Sequence, residues 1–217
     1  MEPLPRHQCL IYQGAPSKHL PAVAAVTLEK LRQNYRCLYL NSAPMVAGMR
    51  SYLAAAGVDV AHEVGTASLV LSSEQRHLVD GRFDVERMMQ TLKDALQQAL
   101  ADGYQGLWAT GDMTWELGAG KDYSKLLEYE RRLEEFFQTH PQLCGICQYH
   151  SDTLPREMMR LGLLAHPTIF VNKTLSLFNP HYVSAESFPR GAIENVKLDP
   201  VIAHLCQEGR FNRPASS

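Results

Sequence analysis

The sequence predicts a three-layer α/β domain in which helices cover both faces of a mostly parallel sheet. Short apolar runs alternate along the chain with longer segments of helical periodicity, and no low-complexity linker interrupts the series. The composition is 45% apolar over 217 residues, which is enough to bury the core of one such domain. Alternation of this kind is typical of strand–helix–strand units.

The first half of the chain divides at residues that end or cap helices. Pro21 is tolerated in the first turn of a helix, Ser42 can cap the next one, and Gly57 ends it. In order, the predicted elements are a strand at His7–Gln13, a helix at His19–Gln33, a strand at Arg36–Asn41, a helix from Ser42 to Gly57, and short strands at Val58–His62 and Ser68–Leu71.

The second half contains the clearest helix, which Asp84 caps and Gly103 ends. Its apolar residues recur at helical spacing: Val85, Met88, Met89, Leu92, Leu96 and Leu100. The remaining predicted elements are a strand at Gly106–Gly111, a helix at Tyr123–Thr139, a strand at Leu143–Tyr149, a helix at Pro155–Leu164, a hairpin of Thr168–Val171 with Leu175–Phe178, and a helix at Pro200–Gln207.

Charge and cysteine content restrict the classes of partner. The net charge of −2 and the pI near 6.5 give no basic footprint, so direct nucleic-acid binding is not expected. No segment has the length of a membrane span, and the first residues lack the layout of a signal peptide. Five cysteines without an export signal fit reduced thiols better than disulfides, and we expect a cytoplasmic protein.

The turn after the first strand occupies the position of a phosphate-binding loop but lacks that loop's residues. Lys18 follows Gly14 too closely, no second glycine precedes it, and His19 replaces the hydroxyl residue that would bind magnesium. This degenerate loop argues against nucleotide hydrolysis. Ser17 and Lys18 can still hold an anion at the helix N-terminus, and the alternative is a solvated turn.

Cysteine and histidine spacing does not predict a metal site. Cys144 and Cys147 have C-x-x-C spacing, but the sequence has no second pair, and both lie inside a predicted strand, where we expect buried thiols. His7, His150 and His166 lie near strand ends without helical pairing, so we expect structural histidines. No metal or other cofactor is therefore predicted.

Ligands of parallel sheets bind beyond the carboxyl ends of the strands, and three segments follow strands in the predicted order. They are the Gly14–His19 turn, the Gly111–Glu116 loop and the Tyr149–Asp152 segment. We expect them to converge on a small, partly apolar molecule. An alternative for Trp115 is packing beneath the next helix. The predicted ligand-binding residues are Tyr12, Ser17, Lys18, Asp112, Met113, Trp115, Tyr149 and His150.

Several short motifs occur in one order and together resemble the MEDS (DcmR-type) family. They include His7-Gln8-Cys9-Leu10-Ile11-Tyr12, Gly57-Val58-Asp59-Val60, Asp80-Gly81-Arg82-Phe83-Asp84, Gly111-Asp112-Met113-Thr114-Trp115, Leu127-Glu128-Tyr129-Glu130, Cys147-Gln148-Tyr149, His166-Pro167 and Asn179-Pro180-His181-Tyr182. The sequence departs from the family pattern at Asp112, where the family often has Glu, and at His150, where it often has Asp.

The resemblance implies a RecA/KaiC-like sensory domain over residues 1–183, followed by an extension over 184–217 with one short helix and a disordered tail. It implies a role in sensing small hydrocarbon derivatives and a signalling partner or DNA-binding module in another chain, with a homo-oligomer as a further option. Two alternatives stay open: a RecA-like nucleotide-binding or thiol-dependent enzyme, and an interaction scaffold without a ligand.

Overall fold

The computed structural model describes residues 6–119, 122–187 and 196–211. A seven-stranded sheet with the order β3-β2-β6-β7-β1-β8-β9 forms its centre. The strands are β1 (His7–Tyr12), β2 (Tyr35–Leu40), β3 (Leu69–Ser72), β4 (Leu78–Val79), β5 (Arg82–Phe83), β6 (Gly106–Asp112), β7 (Leu143–His150), β8 (Thr168–Asn172) and β9 (Leu175–Phe178). The α-helices are α1 (Leu20–Arg32), α2 (Ala43–Ala55), α3 (Val60–Gly65), α4 (Val85–Ala101), α5 (Met113–Glu116), α6 (Ser124–Thr139), α7 (Arg156–Ala165) and α8 (Asp199–Phe211).

Strand β1 lies inside the sheet and pairs in parallel with β7 on one side and β8 on the other. Strands β2, β3 and β6 continue the parallel arrangement, and β9 runs antiparallel, as the outer strand of a hairpin with β8. Strands β6, β7 and β1 are therefore neighbours, and their carboxyl ends lie side by side.

Helices cover both faces of the sheet and bury two apolar cores. Helices α1 and α2 pack over the face that presents Tyr12, Tyr39 and Trp108. Helices α4, α6, α7 and α8 cover the opposite face, which presents Cys147 and Tyr149. The predicted three-layer, mostly parallel α/β architecture is confirmed.

One predicted strand is wrong. Val58–His62 contributes to helix α3, because the Asp59 side chain accepts a hydrogen bond from the backbone N–H of His62 (3.0 Å) and caps the helix. The small β4–β5 hairpin was not predicted from the sequence. Its turn residues Asp80 and Gly81 both have positive φ, which an Asp-Gly pair adopts readily.

The helix predicted at Pro200–Gln207 is α8, which runs from Asp199 to Phe211 and packs against β1 and α7. The predicted disordered tail at 212–217 lies outside the described residues. Among the helices that the structure describes, none combines the length and apolar character needed to cross a bilayer.

Candidate functional site

The three segments proposed to converge do meet at the carboxyl ends of β1, β7 and β6. The Gly14 backbone N–H donates to Asp152 Oδ2 over 2.9 Å, which joins the turn after β1 to the segment after β7. The hydroxyl groups of Thr114 and Thr153 lie 2.8 Å apart and join the β6 loop to the same segment. Strand adjacency brings these positions together despite their separation along the chain.

A buried polar layer lies beneath these contacts on the α1 face. The Tyr12 hydroxyl donates to Asp112 Oδ2 over 3.0 Å, and its ring stacks on His150 with centroids 4.8 Å apart. Asp112 also accepts from the Trp115 backbone N–H (2.9 Å) and so caps α5. Burial raises the pKa of Asp112, although both hydrogen bonds oppose that rise. Burial, followed by the Lys18 charge, lowers the pKa of nearby His19 to about 4.

The other predicted ligand residues lie elsewhere. Ser17 and Lys18 are exposed in a 3₁₀ turn. Met113 and Tyr149 are buried in the core of the opposite face. Trp115 is half-buried beside His77, with ring centroids 5.1 Å apart. The structure thus brings the side chains of Tyr12, Asp112 and His150 together, whereas the side chains of the other predicted residues lie outside this cluster.

A pocket of about 590 Å³ opens directly beyond β1 and β7, where α8 lies over the strand ends. The Cys206 thiol donates to the Ser151 hydroxyl (3.5 Å) and joins α8 to the segment after β7. The pocket is lined by Gln13, Ser151, Arg156, Met159, Asp199, Pro200, Ile202, Ala203, Cys206 and Gln207.

A second group of chemically active side chains is buried beneath α6. His7, Glu130, Cys147 and His166 place one potential ligand atom each within 4.8 Å of one another. His7 Nε2 lies 3.6 Å from the Cys147 Sγ, and His166 Nε2 lies 3.7 Å from Glu130 Oε2. The His7 and His166 rings are in contact, with centroids 3.9 Å apart. Within residues 6–119, 122–187 and 196–211, these four form the group whose geometry could hold a metal ion.

Hydrogen bonds from outside the group fix its side chains. His7 Nδ1 lies 2.6 Å from Glu134 Oε2, and His166 Nδ1 lies 2.7 Å from the Gly162 carbonyl oxygen. The Tyr149 hydroxyl donates to Glu130 Oε1.

Burial is the largest cause of the pKa shifts in this group. It raises the pKa of Glu130 to about 8 and lowers the pKa of His166 well below its usual range, with nearby His7 adding to the second effect. At Glu134 burial alone would raise the pKa, but hydrogen bonds, first that from His7, outweigh it and lower the pKa. Glu134 is therefore ionised in its hydrogen-bonded pair with His7.

The profile of one protein family matches residues 6–167: MEDS, described as the MEthanogen/methylotroph, DcmR Sensory domain. The chain belongs to the MEDS family. No curated protein matches the sequence. The part matched to MEDS contains the strand-end layer and all four residues of the buried group, but it ends before α8. The pocket is thus built partly by the MEDS core and partly by the following helix.

Sequence reasoning missed the pocket and the buried group for different reasons. The pocket depends on the docking of α8, which local patterns do not reveal. The buried group gathers single residues from β1, α6, β7 and the end of α7, so no spacing motif marks it. The available signal was alternation along β7, which puts Cys147 on the same face as Tyr149.

Proposed function

We propose that this MEDS domain is a cytoplasmic sensor that binds a small, partly apolar organic molecule in the α8 pocket and regulates a signalling partner in another chain. The sensory role is that of the family. The main support for the ligand is the pocket volume of about 590 Å³, which lies in the range typical of small-molecule sites. Its position beyond parallel strand ends is also where such ligands bind.

The lining of the pocket suits a mixed ligand. Met159 and Ile202 offer apolar surface, whereas Gln13 and Ser151 offer polar groups at the strand ends. Asp199 at the rim lies 3.7 Å from Arg156 and accepts a paired hydrogen bond from Arg160. A few polar groups within an apolar wall can orient a small organic molecule without binding a highly charged one.

Helix α8 is the element through which binding would act. It contributes six of the ten residues that line the pocket, and it contacts the rest of the domain through β1, α7 and β8. A ligand changes an equilibrium only if its affinity differs between two conformations. Occupation of the pocket would favour one position of α8, which a partner protein, a DNA-binding module in another chain or a second copy could read.

Contacts in the turn after β1 support a domain without nucleotide hydrolysis. The Gly14 N–H is directed to the Asp152 carboxylate, and the N–H groups of Lys18 and His19 bond to carbonyl oxygens within the turn. A phosphate placed here would meet a carboxylate and few available amides. We therefore expect no magnesium-dependent turnover of ATP by the purified protein, and turnover that Lys18→Ala abolishes would contradict this expectation.

Burial of the thiols supports the absence of thiol catalysis. All five cysteines are buried. Burial raises the pKa of Cys144 to about 11, and it raises the pKa of Cys37 well above its usual range. A thiol held in its neutral form away from solvent is a poor nucleophile. Tyr12, Asp112 and His150 lie together at the carboxyl ends of the strands, and their roles in ligand binding stay predictions.

The test is a screen of small alcohols, halogenated hydrocarbons and short carboxylic acids by ligand-observed NMR and calorimetry. Ala203→Trp should abolish binding of any hit, because Ala203 lines the pocket on the exposed side of α8 and an indole there fills it. Ala101→Trp, at the exposed end of α4, is the control and should bind normally. A hit that binds equally well to both variants would place the ligand elsewhere and refute the pocket assignment.

A further inference from the structure

We infer that His7, Glu130, Cys147 and His166 form a binding site for one divalent transition-metal ion, with zinc as the best fit. The site is separate from the α8 pocket and does not depend on the proposed sensory function. It departs from the sequence-based expectation that the histidines are only structural and that no metal binds. Geometry, hydrogen bonding and charge support it independently.

The distances approach those of a tetrahedral site. Zinc binds nitrogen and oxygen at about 2.0–2.2 Å and sulfur at about 2.3 Å, so neighbouring ligand atoms lie about 3.4–3.6 Å apart. The observed separations are 3.6 Å from His7 Nε2 to Cys147 Sγ and 3.7 Å from His166 Nε2 to Glu130 Oε2. The widest pair is within 4.8 Å, so a contraction of about an ångström would complete the coordination.

The outer hydrogen bonds set the tautomers that a metal requires. The carboxylate of Glu134 and the carbonyl of Gly162 accept from the Nδ1–H groups of His7 and His166. Each ring therefore presents an unprotonated Nε2 to the centre of the group. Metal-bound histidines usually donate their second N–H to a carboxylate or a backbone carbonyl, and both arrangements occur here.

The outer partners are themselves held in place. Glu134 accepts further hydrogen bonds from the Tyr182 hydroxyl (2.5 Å) and the Gln138 amide (2.9 Å). Tyr149 donates to Glu130 Oε1 and leaves Oε2 directed at the group. Three of the four proposed ligands, His7, His166 and Glu130, are thus each held by a hydrogen bond from outside the group.

Two of the four inner atoms have no hydrogen-bond partner, whereas His7 Nε2 and Cys147 Sγ are in contact with each other. Among the described residues, Glu130 Oε2 and His166 Nε2 are buried with no hydrogen-bond partner, and both side chains are fully buried. At 3.7 Å the two atoms are too far apart for one proton to join them directly. Burying polar atoms without a partner is costly, and a cation between these two atoms would satisfy both.

The charges and donor types favour zinc. A Cys147 thiolate and a Glu130 carboxylate would neutralise a divalent ion, and two neutral imidazoles complete the set. Thiolate and imidazole ligands together select zinc and related late transition metals over magnesium or calcium. Binding displaces the protons of the Cys147 thiol and the Glu130 carboxyl group, so affinity should rise with pH.

The experiment uses the full chain expressed in medium supplemented with zinc or cobalt and purified under reducing conditions. Wild type should retain about one metal per chain by elemental analysis. The cobalt form should show tetrahedral visible absorption and a near-ultraviolet thiolate-to-cobalt band. Cys147→Ser should lose the thiolate band, and Glu130→Gln should retain less metal.

The matched control is Cys144→Ser, on the same strand with its side chain in the opposite core. It should keep both the metal and the thiolate band. Circular dichroism verifies that each variant is folded. Wild-type protein without bound metal after supplementation would overturn the proposal even if a variant fails to fold. Equal metal retention in Cys147→Ser and Cys144→Ser would overturn it as well.

Discussion

Gly162 in helix α7 allows the Tyr149 ring to lie directly against the helix. A Cβ at this position would lie 2.6 Å from Tyr149 Cε1 and 2.7 Å from Cζ. The ring cannot easily move away, because it is fully buried and its hydroxyl donates to Glu130. We therefore expect Gly162→Ala to destabilise the fold, although alanine normally stabilises a helix.

The magnitude follows from two opposing contributions. Alanine gains about 1 kcal/mol over glycine in a helix interior. Overpacking of a well-packed core costs about 1–3 kcal/mol, and losing the Tyr149–Glu130 hydrogen bond costs about 1 kcal/mol more. The net expected effect is a loss of about 1–3 kcal/mol in the free energy of unfolding.

Urea unfolding followed by circular dichroism measures this loss, and two other helical glycines provide matched controls. A Cβ on Gly65, at the end of α3, has no atom within 4 Å, so Gly65→Ala should be neutral or stabilising. A Cβ on Gly48 would approach only the flexible end of Leu20, at 2.6 Å, so Gly48→Ala should be intermediate. A Gly162→Ala protein as stable as Gly65→Ala would refute the reasoning.

Two further predictions concern titration and helix capping. Burial, and then the charges of Glu130 and Asp112, raise the pKa of Glu116 well above its usual range. Folding stability linked to Glu116 is therefore complete below its unfolded pKa of about 4.3 and is lost as pH rises toward the folded pKa, by at most about 1.4 kcal/mol per pH unit. Glu116→Gln should flatten this dependence in urea unfolding between pH 5 and pH 8, and unchanged slopes would contradict the prediction. Asp84 accepts from the Arg87 N–H (2.9 Å) at the start of α4, so Asp84→Ala should cost about 1 kcal/mol, and a thermal midpoint equal to wild type would show that the cap is dispensable.

Local patterns were sufficient to predict most elements of this fold. The Asp84 cap and the apolar repeat placed α4 correctly, and the late hairpin was also predicted. The error at Val58–His62 arose because a short apolar run fits a strand or one turn of helix equally well, and the Asp59 cap decided between them. The likeness to RecA and KaiC stays a prediction.

The candidate site could be predicted only in outline. Placing it at strand ends required strand order alone, and three segments do meet there. Side-chain direction required alternation along β7: Tyr149 and His150 must face opposite sides of the sheet, so only His150 can join Tyr12. The α8 pocket and the buried group depend on long-range docking, which a single sequence does not encode in any spacing.

The position of β1 has a consequence for the order of folding. His7 pairs with Gly145, and Gln8 pairs with Thr168, so the first strand of the chain finds its neighbours only among the last strands. Such non-local pairing raises the contact order and slows folding. During synthesis on a ribosome, β1 must wait until β7 and β8 have emerged before the sheet can close around it. The strands β2, β3 and β6 can pair earlier, whereas β1 must wait for β7, and the β8–β9 hairpin joins the sheet only through β1.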